Sequence, residues 1–121
     1  MINSVDNEYV PKRLRAEMQV RFGSPDGTLL SGFSIDLSTG GLFLQTNYPL
    51  NVDDILILRF KLLRQDDTIS CPSKVAWVNT KENPYNPEFA PGVGIQFVDI
   101  PLEEVNAIGR FLKHNDIQPS W

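Results

Sequence analysis

Short segments in which apolar and polar residues alternate run through most of this chain, and they limit its fold more than any other feature. From residue 16 to residue 22 every second side chain is apolar, which is typical of a strand with one buried face. The turn-forming residues 23–27 follow, with one proline and two glycines among them. A second strand over residues 28–36 is therefore expected to pair with the first in an antiparallel hairpin.

The same pattern continues further along the chain. It predicts four more strands, at residues 41–46, 55–63, 68–79 and 92–98. In the strand at 68–79, strict alternation places Val75 and Trp77 on the same face. Residues 80–91, which precede the last strand, include three prolines and are predicted to form a loop.

Only the end of the chain has the spacing of a helix. Its apolar residues recur every three or four positions over residues 101–114, which predicts an amphipathic helix. The apolar positions are Leu102, Val105, Ile108 and Leu112. Six or so strands followed by one helix predict an antiparallel barrel or sandwich. At 121 residues we expect one domain, residues 12–114, between a flexible leader (1–11) and a C-terminal tail (115–121).

The charge balance disfavours one class of partner and leaves a local question open. The chain has 11 Lys and Arg residues against 15 Asp and Glu residues, and its net charge of −4 disfavours general binding to DNA or RNA. Residues 12–21 nevertheless carry four positive side chains and one negative side chain. This basic segment is either a solvated strand face or part of a site for an anion.

Signals for a membrane or for secretion are not found in the sequence. The longest mainly apolar stretch, residues 55–63, is interrupted by Arg59 and Lys61 and is shorter than the roughly 20 residues of a membrane span. The first ten residues have neither the basic head nor the apolar run of a secretory signal. We therefore expect no membrane insertion, a cytoplasmic location, and a monomer or weak dimer.

Residues suited to catalysis or to metal binding are few. Ser38 lacks the glycine two positions before it that a nucleophile elbow needs, and the single histidine, His114, lies at the end of the predicted helix. A single cysteine, Cys71, excludes an internal disulfide, and one cysteine with one histidine cannot form a structural zinc site. We expect a protein that is not an enzyme and that has no metal or other cofactor.

One short motif carries more information than the rest of the chain. Asp36, Ser38 and Gly41 form the pattern Asp-x-Ser-x-x-Gly. This pattern resembles the second signature of PilZ domains, which are bacterial receptors for the second messenger cyclic di-GMP (c-di-GMP). The order of the surrounding segments is also similar: a strand leaves the motif at residues 41–44, strands follow at 75–78 and 91–97, and a helix closes the domain.

The resemblance covers residues 12–114 and implies both a fold and a function. The implied fold is mainly β, a six-stranded antiparallel PilZ-like β-barrel with a C-terminal α-helix. The implied function is that of a non-catalytic signalling domain, which binds c-di-GMP and relays it to a protein partner that controls motility, attachment or exopolysaccharide.

The first signature of the family, Arg-x-x-x-Arg, is incomplete in this chain. Arg13 most resembles the second arginine of the signature, and Tyr9 then stands in place of the first. If Arg15 is taken instead, Pro11 stands in that place. Either way, one of the two arginines that grip the ligand in the family is missing.

The resemblance also implies a set of ligand-binding residues. Arginine can bind both phosphate oxygens and the O6/N7 edge of guanine, which is the role implied for Arg13 and Arg15. Asp36 would accept hydrogen bonds from guanine N–H groups, and Ser38 would bond either the ligand or the loop backbone. Glycine lets the backbone turn closely beneath a ligand. The implied set is Arg13, Arg15, Asp36, Ser38, Gly40 and Gly41.

Three alternatives remain open at this point. Asp36 and Ser38 can simply build a turn by bonding local backbone amides. The missing arginine favours a degenerate PilZ domain that does not bind c-di-GMP and acts as a protein–protein adaptor, with the loop at residues 83–91 as a contact surface. A small barrel that stacks single-stranded nucleic acid on aromatic side chains such as Phe43 and Trp77 is a weaker alternative, because the chain is acidic and because Trp77, on an alternating strand, is expected in the core.

Overall fold

The computed structural model describes residues 14–62 and 68–117, and the side chains only as far as residue 113. The predicted leader and Arg13 lie outside the described residues. Seven strands and one helix follow in chain order: β1 (Leu14–Arg15), β2 (Gln19–Gly23), β3 (Leu30–Leu37), β4 (Gly41–Gln45), β5 (Ile55–Lys61), β6 (Thr68–Asn79), β7 (Gly92–Phe97) and α1 (Leu102–Ile117).

Six of the seven strands form a closed antiparallel barrel. The strands pair in the order β3, β2, β5, β6, β7 and β4, and a further pairing between β3 and β4 closes the ring. The short β1 lies outside the ring and pairs only with β3. The prediction of a six-stranded antiparallel barrel with a C-terminal helix is confirmed.

The first predicted strand is shortened by a side chain from its neighbour. The strand predicted from residue 16 begins at Gln19, and over residues 16–18 the ladder with β3 is irregular, with backbone bonds only from Ala16 N–H to the carbonyl of Ile35 and from Ser34 N–H to the carbonyl of Met18. There the hydroxyl of Ser34 donates to the carbonyl of Ala16 and accepts from the N–H of Met18. The alternation at residues 16–22 is therefore present in the burial of the side chains, but the strand begins three residues later than predicted, because the Ser34 hydroxyl replaces a ladder partner at Met18.

The inward positions of the barrel strands fill a single core. Val20, Leu58 and Ile69 are fully buried there, as alternation predicts for every second residue. The helix closes the core with four buried side chains: Ala107, Ile108, Phe111 and Leu112. Burial of this kind stabilises a side chain by about 1.5–3 kcal/mol relative to exposure.

The helix differs from its prediction at both ends. It begins at Leu102 and ends at Ile117, three residues beyond the predicted end at residue 114. Leu102, predicted to lie on the apolar face, is 74% exposed, because the core-facing stripe begins a turn later. Within the two described ranges, no helix combines the length and the apolar character that a membrane crossing requires.

The long strand β6 contains a bulge that the sequence did not predict. Val75 pairs with Ile95 and Trp77 pairs with Gly94. The chain therefore advances by two residues along β6 while it advances by one residue along β7, which is a β-bulge. Val75 is buried in the core and Val78 packs against the core, whereas Trp77 packs against other aromatic rings. The prediction that Val75 and Trp77 share a face is therefore wrong.

The buried thiol of Cys71 is expected to be unreactive in the folded protein. Cys71 is 1% exposed, and burial, together with the negative charge of Glu104, raises its pKa to about 11. Since only the thiolate reacts with disulfide reagents, we expect no labelling by dithiobis(nitrobenzoate) near about pH 8 and full labelling in guanidinium. Rapid labelling of the native protein would contradict this.

Candidate ligand-binding cleft

The turn of the Asp-x-Ser-x-x-Gly motif is built around the side chain of Ser38. Its hydroxyl oxygen accepts hydrogen bonds from the N–H groups of Gly40 (3.1 Å) and Gly41 (3.2 Å). The backbone N–H of Ser38 also donates to the carbonyl of Gly41, at 2.9 Å. Ser38 is only 2% exposed. The hydroxyl thus shapes the loop between β3 and β4, and a contact of Ser38 with a ligand stays a prediction.

Gly41 is required by the close approach of two strands. A Cβ atom at this position would lie 1.9 Å from the carbonyl oxygen of Ile95 on β7. The neighbouring Gly40 accepts a hydrogen bond from the N–H of Phe97, at 2.9 Å, and stays partly exposed. Gly41, the glycine of the motif, therefore serves strand packing, whereas Gly40 borders a cleft.

Asp36 stands at the end of β3, just beyond a shift in register between Ser34 and itself. One carboxylate oxygen, Oδ1, accepts a hydrogen bond from the backbone N–H of Phe43 at 2.9 Å. The side chain is half-buried and lies at the mouth of a cleft. A carboxylate has about four lone-pair sites and can accept several hydrogen bonds at once.

Arg15 is the described arginine nearest to the motif along the sheet. It lies on β1 directly opposite Asp36, and opposite residues of an antiparallel pair place their side chains on the same face. Its guanidinium instead binds the carboxylate of Glu17 at 2.7 Å, and both side chains are mostly exposed. An exposed pair of this kind contributes little stability, so a ligand phosphate can compete for the guanidinium.

The motif loop forms one side of a cleft of about 540 Å³, a size within the range of sites for small molecules. Asp36, Ser38 and Gly40 line one side. Arg15 and Gly41 are not among the lining residues. The remaining lining residues are Leu42, Phe43, Ala76, Trp77, Asn86, Phe89, Gly94, Ile95 and Gln96.

An aromatic cluster, made of Phe43, Trp77, Tyr85 and Phe89, lies beside the cleft, and all of its members except Tyr85 line it. Phe43 contacts Phe89 with ring centroids 4.7 Å apart and Trp77 at 5.2 Å. Trp77 also packs against Tyr85 at 4.6 Å. The indole lies directly over Gly94, where a Cβ would come within 2.1 Å of its nitrogen. A glycine facing the bulge of β6 is thus what makes room for Trp77.

Sequence reasoning did not assign this cluster to the motif. Trp77 was expected in the core, because alternation gives no sign of a bulge. The one available signal was the pair of glycines that opens β7, since Gly94 permits the indole to lie against the backbone.

The loop that carries Tyr85 and Phe89, residues 80–91, is fixed by the side chain of Asn79. Its amide nitrogen donates to the carbonyls of Phe89 (3.2 Å) and Ala90 (3.1 Å). Its amide oxygen accepts from the backbone N–H of Asn86 at 2.7 Å. Asn79 is 2% exposed. One buried side chain therefore holds the loop in a defined position beside the cleft.

Comparison with known proteins agrees with this architecture. The sequence profile of the PilZ domain matches residues 11–114, which include the barrel, the motif and most of the helix. The chain belongs to the PilZ domain family. The resemblance drawn from the Asp36 motif is confirmed. None of the curated protein sequences matches the chain.

Solved structures with the same fold share little sequence with this PilZ chain. The inhibitor of motility MotI/DgrA of Bacillus subtilis superposes with a TM-score of 0.76 at 13% identity, over 93% of this chain and 53% of its own. The PilZ domain of YcgR from Escherichia coli, solved with c-di-GMP, gives 0.66 at 15% identity, over 88% and 90%. PlzA of Borreliella burgdorferi, in complex with c-di-GMP, gives 0.55 at 18%, over 91% and 43%. The chain thus spans about half the length of MotI/DgrA.

Proposed function

We propose that this PilZ domain is a non-catalytic receptor that binds c-di-GMP in the cleft beside Asp36 and relays the signal to a protein partner. The observation that carries the proposal is the position of the motif: the carboxylate of Asp36 and the turn at Gly40 border a cleft of about 540 Å³. Two relatives of the same fold, YcgR and PlzA, were solved with c-di-GMP. The processes controlled would be motility, attachment or exopolysaccharide production, and the location would be the cytoplasm.

The chemistry of the cleft suits one edge of a guanine. Guanine presents adjacent N–H donors on its Watson–Crick edge, and the carboxylate of Asp36 is an acceptor at the mouth of the cleft. Arg15, opposite Asp36 on the neighbouring strand, would turn from Glu17 to a ligand phosphate. Arg13 would supply the second guanidinium. Ser38 and Gly41 would act indirectly, by holding the turn.

The incomplete Arg-x-x-x-Arg signature sets the expected strength of binding. A hydrogen bond to a charged group contributes about 1.5–3 kcal/mol, so the lack of one arginine weakens binding by roughly 10- to 150-fold. We expect saturable binding in the micromolar range or tighter, that is, about −8 kcal/mol or more favourable.

The second candidate function is a PilZ adaptor that binds a protein and no nucleotide. Two observations favour it: one arginine of the signature is missing, and Tyr85 is 65% exposed on the loop beside the cleft. Solvent exposure of large aromatic side chains is common at protein contact sites.

Isothermal titration with c-di-GMP separates the two candidates. We expect saturable binding by the wild-type chain, and at least about 10-fold weaker binding by Asp36→Ala and by Arg13→Ala. Asp26→Ala and Arg59→Ala are matched controls, since both side chains are exposed and neither lines the cleft. Absence of heat from the folded wild-type chain would overturn the receptor proposal and leave the adaptor.

A further inference from the structure

We propose that Trp77 and Phe89 form an aromatic wall of the cleft, on which a purine base of the bound nucleotide stacks while Asp36 holds the edge of a base. This inference rests on the proposed function. It adds two residues, from β6 and from the loop at 80–91, that belong to neither signature motif.

The wall is tied directly to the motif through Phe43. The backbone N–H of Phe43 donates to Oδ1 of Asp36, and the ring of the same residue contacts Phe89 at 4.7 Å and Trp77 at 5.2 Å. Phe43 itself is 1% exposed. One buried residue therefore connects the carboxylate and the wall, so the two surfaces are fixed relative to each other.

The aromatic side chains of the wall are not part of the barrel core. The bulge at Val75 and Trp77 turns the indole out of the barrel, and Gly94 leaves space for it on the outer surface. Trp77 and Phe89 remain only half-buried, and both line the cleft. The fold thus keeps two aromatic side chains partly exposed beside a polar motif, although their exposed apolar area costs free energy while it stays hydrated.

The wall is also held in place before any ligand binds. Asn79 bonds the backbone of Phe89 and Asn86, and Tyr85 packs on the indole at 4.6 Å. A preorganised surface loses little entropy on binding. A purine has an aromatic face that stacks on such rings and an edge that bonds polar groups, and this cleft offers surfaces for both.

The test is a c-di-GMP titration of the full chain with substitutions that separate stacking from packing. Phe89→Leu keeps an apolar side chain of similar size and removes the ring, whereas Phe89→Tyr keeps the ring. Stacking of a base on an aromatic ring predicts about 5- to 150-fold weaker binding for Phe89→Leu and little change for Phe89→Tyr. Asn83→Ala is the matched control, because Asn83 is exposed on the same loop and is not among the lining residues of the cleft.

A second readout reports stacking itself. In proton NMR spectra at saturating c-di-GMP, a guanine H8 resonance should move upfield with the wild-type chain and with Phe89→Tyr, and this shift should be smaller with Phe89→Leu. Trp77→Leu against Trp77→Phe repeats the comparison at the other ring.

The outcomes separate the wall from the proposed function. The wall is supported if Phe89→Leu and Trp77→Leu bind c-di-GMP more weakly and show a smaller H8 shift, while Phe89→Tyr and Trp77→Phe do not. Equal binding by wild type, Phe89→Leu and Trp77→Leu, with Asp36→Ala weakened, overturns the wall and leaves the receptor proposal standing. No binding of c-di-GMP by the folded wild-type chain overturns both.

Discussion

Replacing Gly41 with alanine is expected to lower the free energy of unfolding by about 3 kcal/mol or more. The new Cβ would lie 1.9 Å from the carbonyl oxygen of Ile95, far inside van der Waals contact. Gly41 and Ile95 both lie in paired backbone, since Gly41 opposes Gln96 and Leu42 opposes Ile95 in the ladder between β4 and β7. Neither strand can move without loss of ladder hydrogen bonds, and small domains have only about 5–15 kcal/mol of stability in total.

The measurement is urea denaturation followed by far-UV circular dichroism. Gly109→Ala is the matched control, because Gly109 lies within α1 and a Cβ there would meet nothing within 4 Å. Alanine is the better helix former by about 1 kcal/mol, so this control should be more stable than the wild type. A Gly41→Ala protein as stable as the wild type would contradict the close approach of β4 and β7.

This result bears on how the motif is interpreted. Gly41 and Ser38 both serve the turn between β3 and β4, through strand contact in one case and three local hydrogen bonds in the other. Their presence is therefore explained by folding alone. Asp36 differs, because its half-buried carboxylate lies at the mouth of the cleft. Ligand binding is for this reason best tested at the arginines and at Asp36. Because Oδ1 of Asp36 also accepts the N–H of Phe43, the test at Asp36 includes circular dichroism to show that the variant is folded.

The fold was largely predictable because period-two burial is a local property of each strand. All six barrel strands lie where alternation and turn residues place them, and β6 has the predicted bounds, Thr68–Asn79. The deviations have non-local causes. The hydroxyl of Ser34 shortens the first predicted strand from across the sheet, and the bulge of β6 depends on its partner β7. Neither cause can be recognised from the sequence of the strand whose structure it changes.

The candidate site was predictable only in the part that resembles a known motif. Of the implied residues, Asp36, Ser38 and Gly40 line one cleft, whereas Arg15 and Gly41 do not, and their contact with a ligand stays a prediction. Trp77 and Phe89 on its other side come from segments more than 30 residues away in the chain, and their proximity follows from barrel closure. Strict alternation locates the strand correctly, but it also places Trp77 on the buried face. The rule that predicts β6 therefore cannot predict that Trp77 lies in the cleft.

Replacing Asn79 with alanine is expected to release the loop at residues 80–91 and to lower the free energy of unfolding by about 2–3 kcal/mol. The substitution removes three hydrogen bonds, to the carbonyls of Phe89 and Ala90 and from the N–H of Asn86. Each such bond contributes about 1 kcal/mol net. Asn79 is 2% exposed, so in the folded variant the backbone groups that lose their partner remain unsatisfied unless the loop opens to water.

Opening of this loop can be measured residue by residue with amide hydrogen exchange. The N–H of Asn86 should exchange up to about 100-fold faster in Asn79→Ala, since about 2.7 kcal/mol corresponds to that factor. Asn83→Ala is the matched control within the same loop: its backbone N–H donates to the hydroxyl of Thr80, a bond that alanine preserves. Unchanged exchange at Asn86 would show that the loop is held by its ring contacts alone. Because Asn79 is not among the residues that line the cleft, a loss of c-di-GMP affinity in the same variant would come from the displaced positions of Asn86 and Phe89, which both line it.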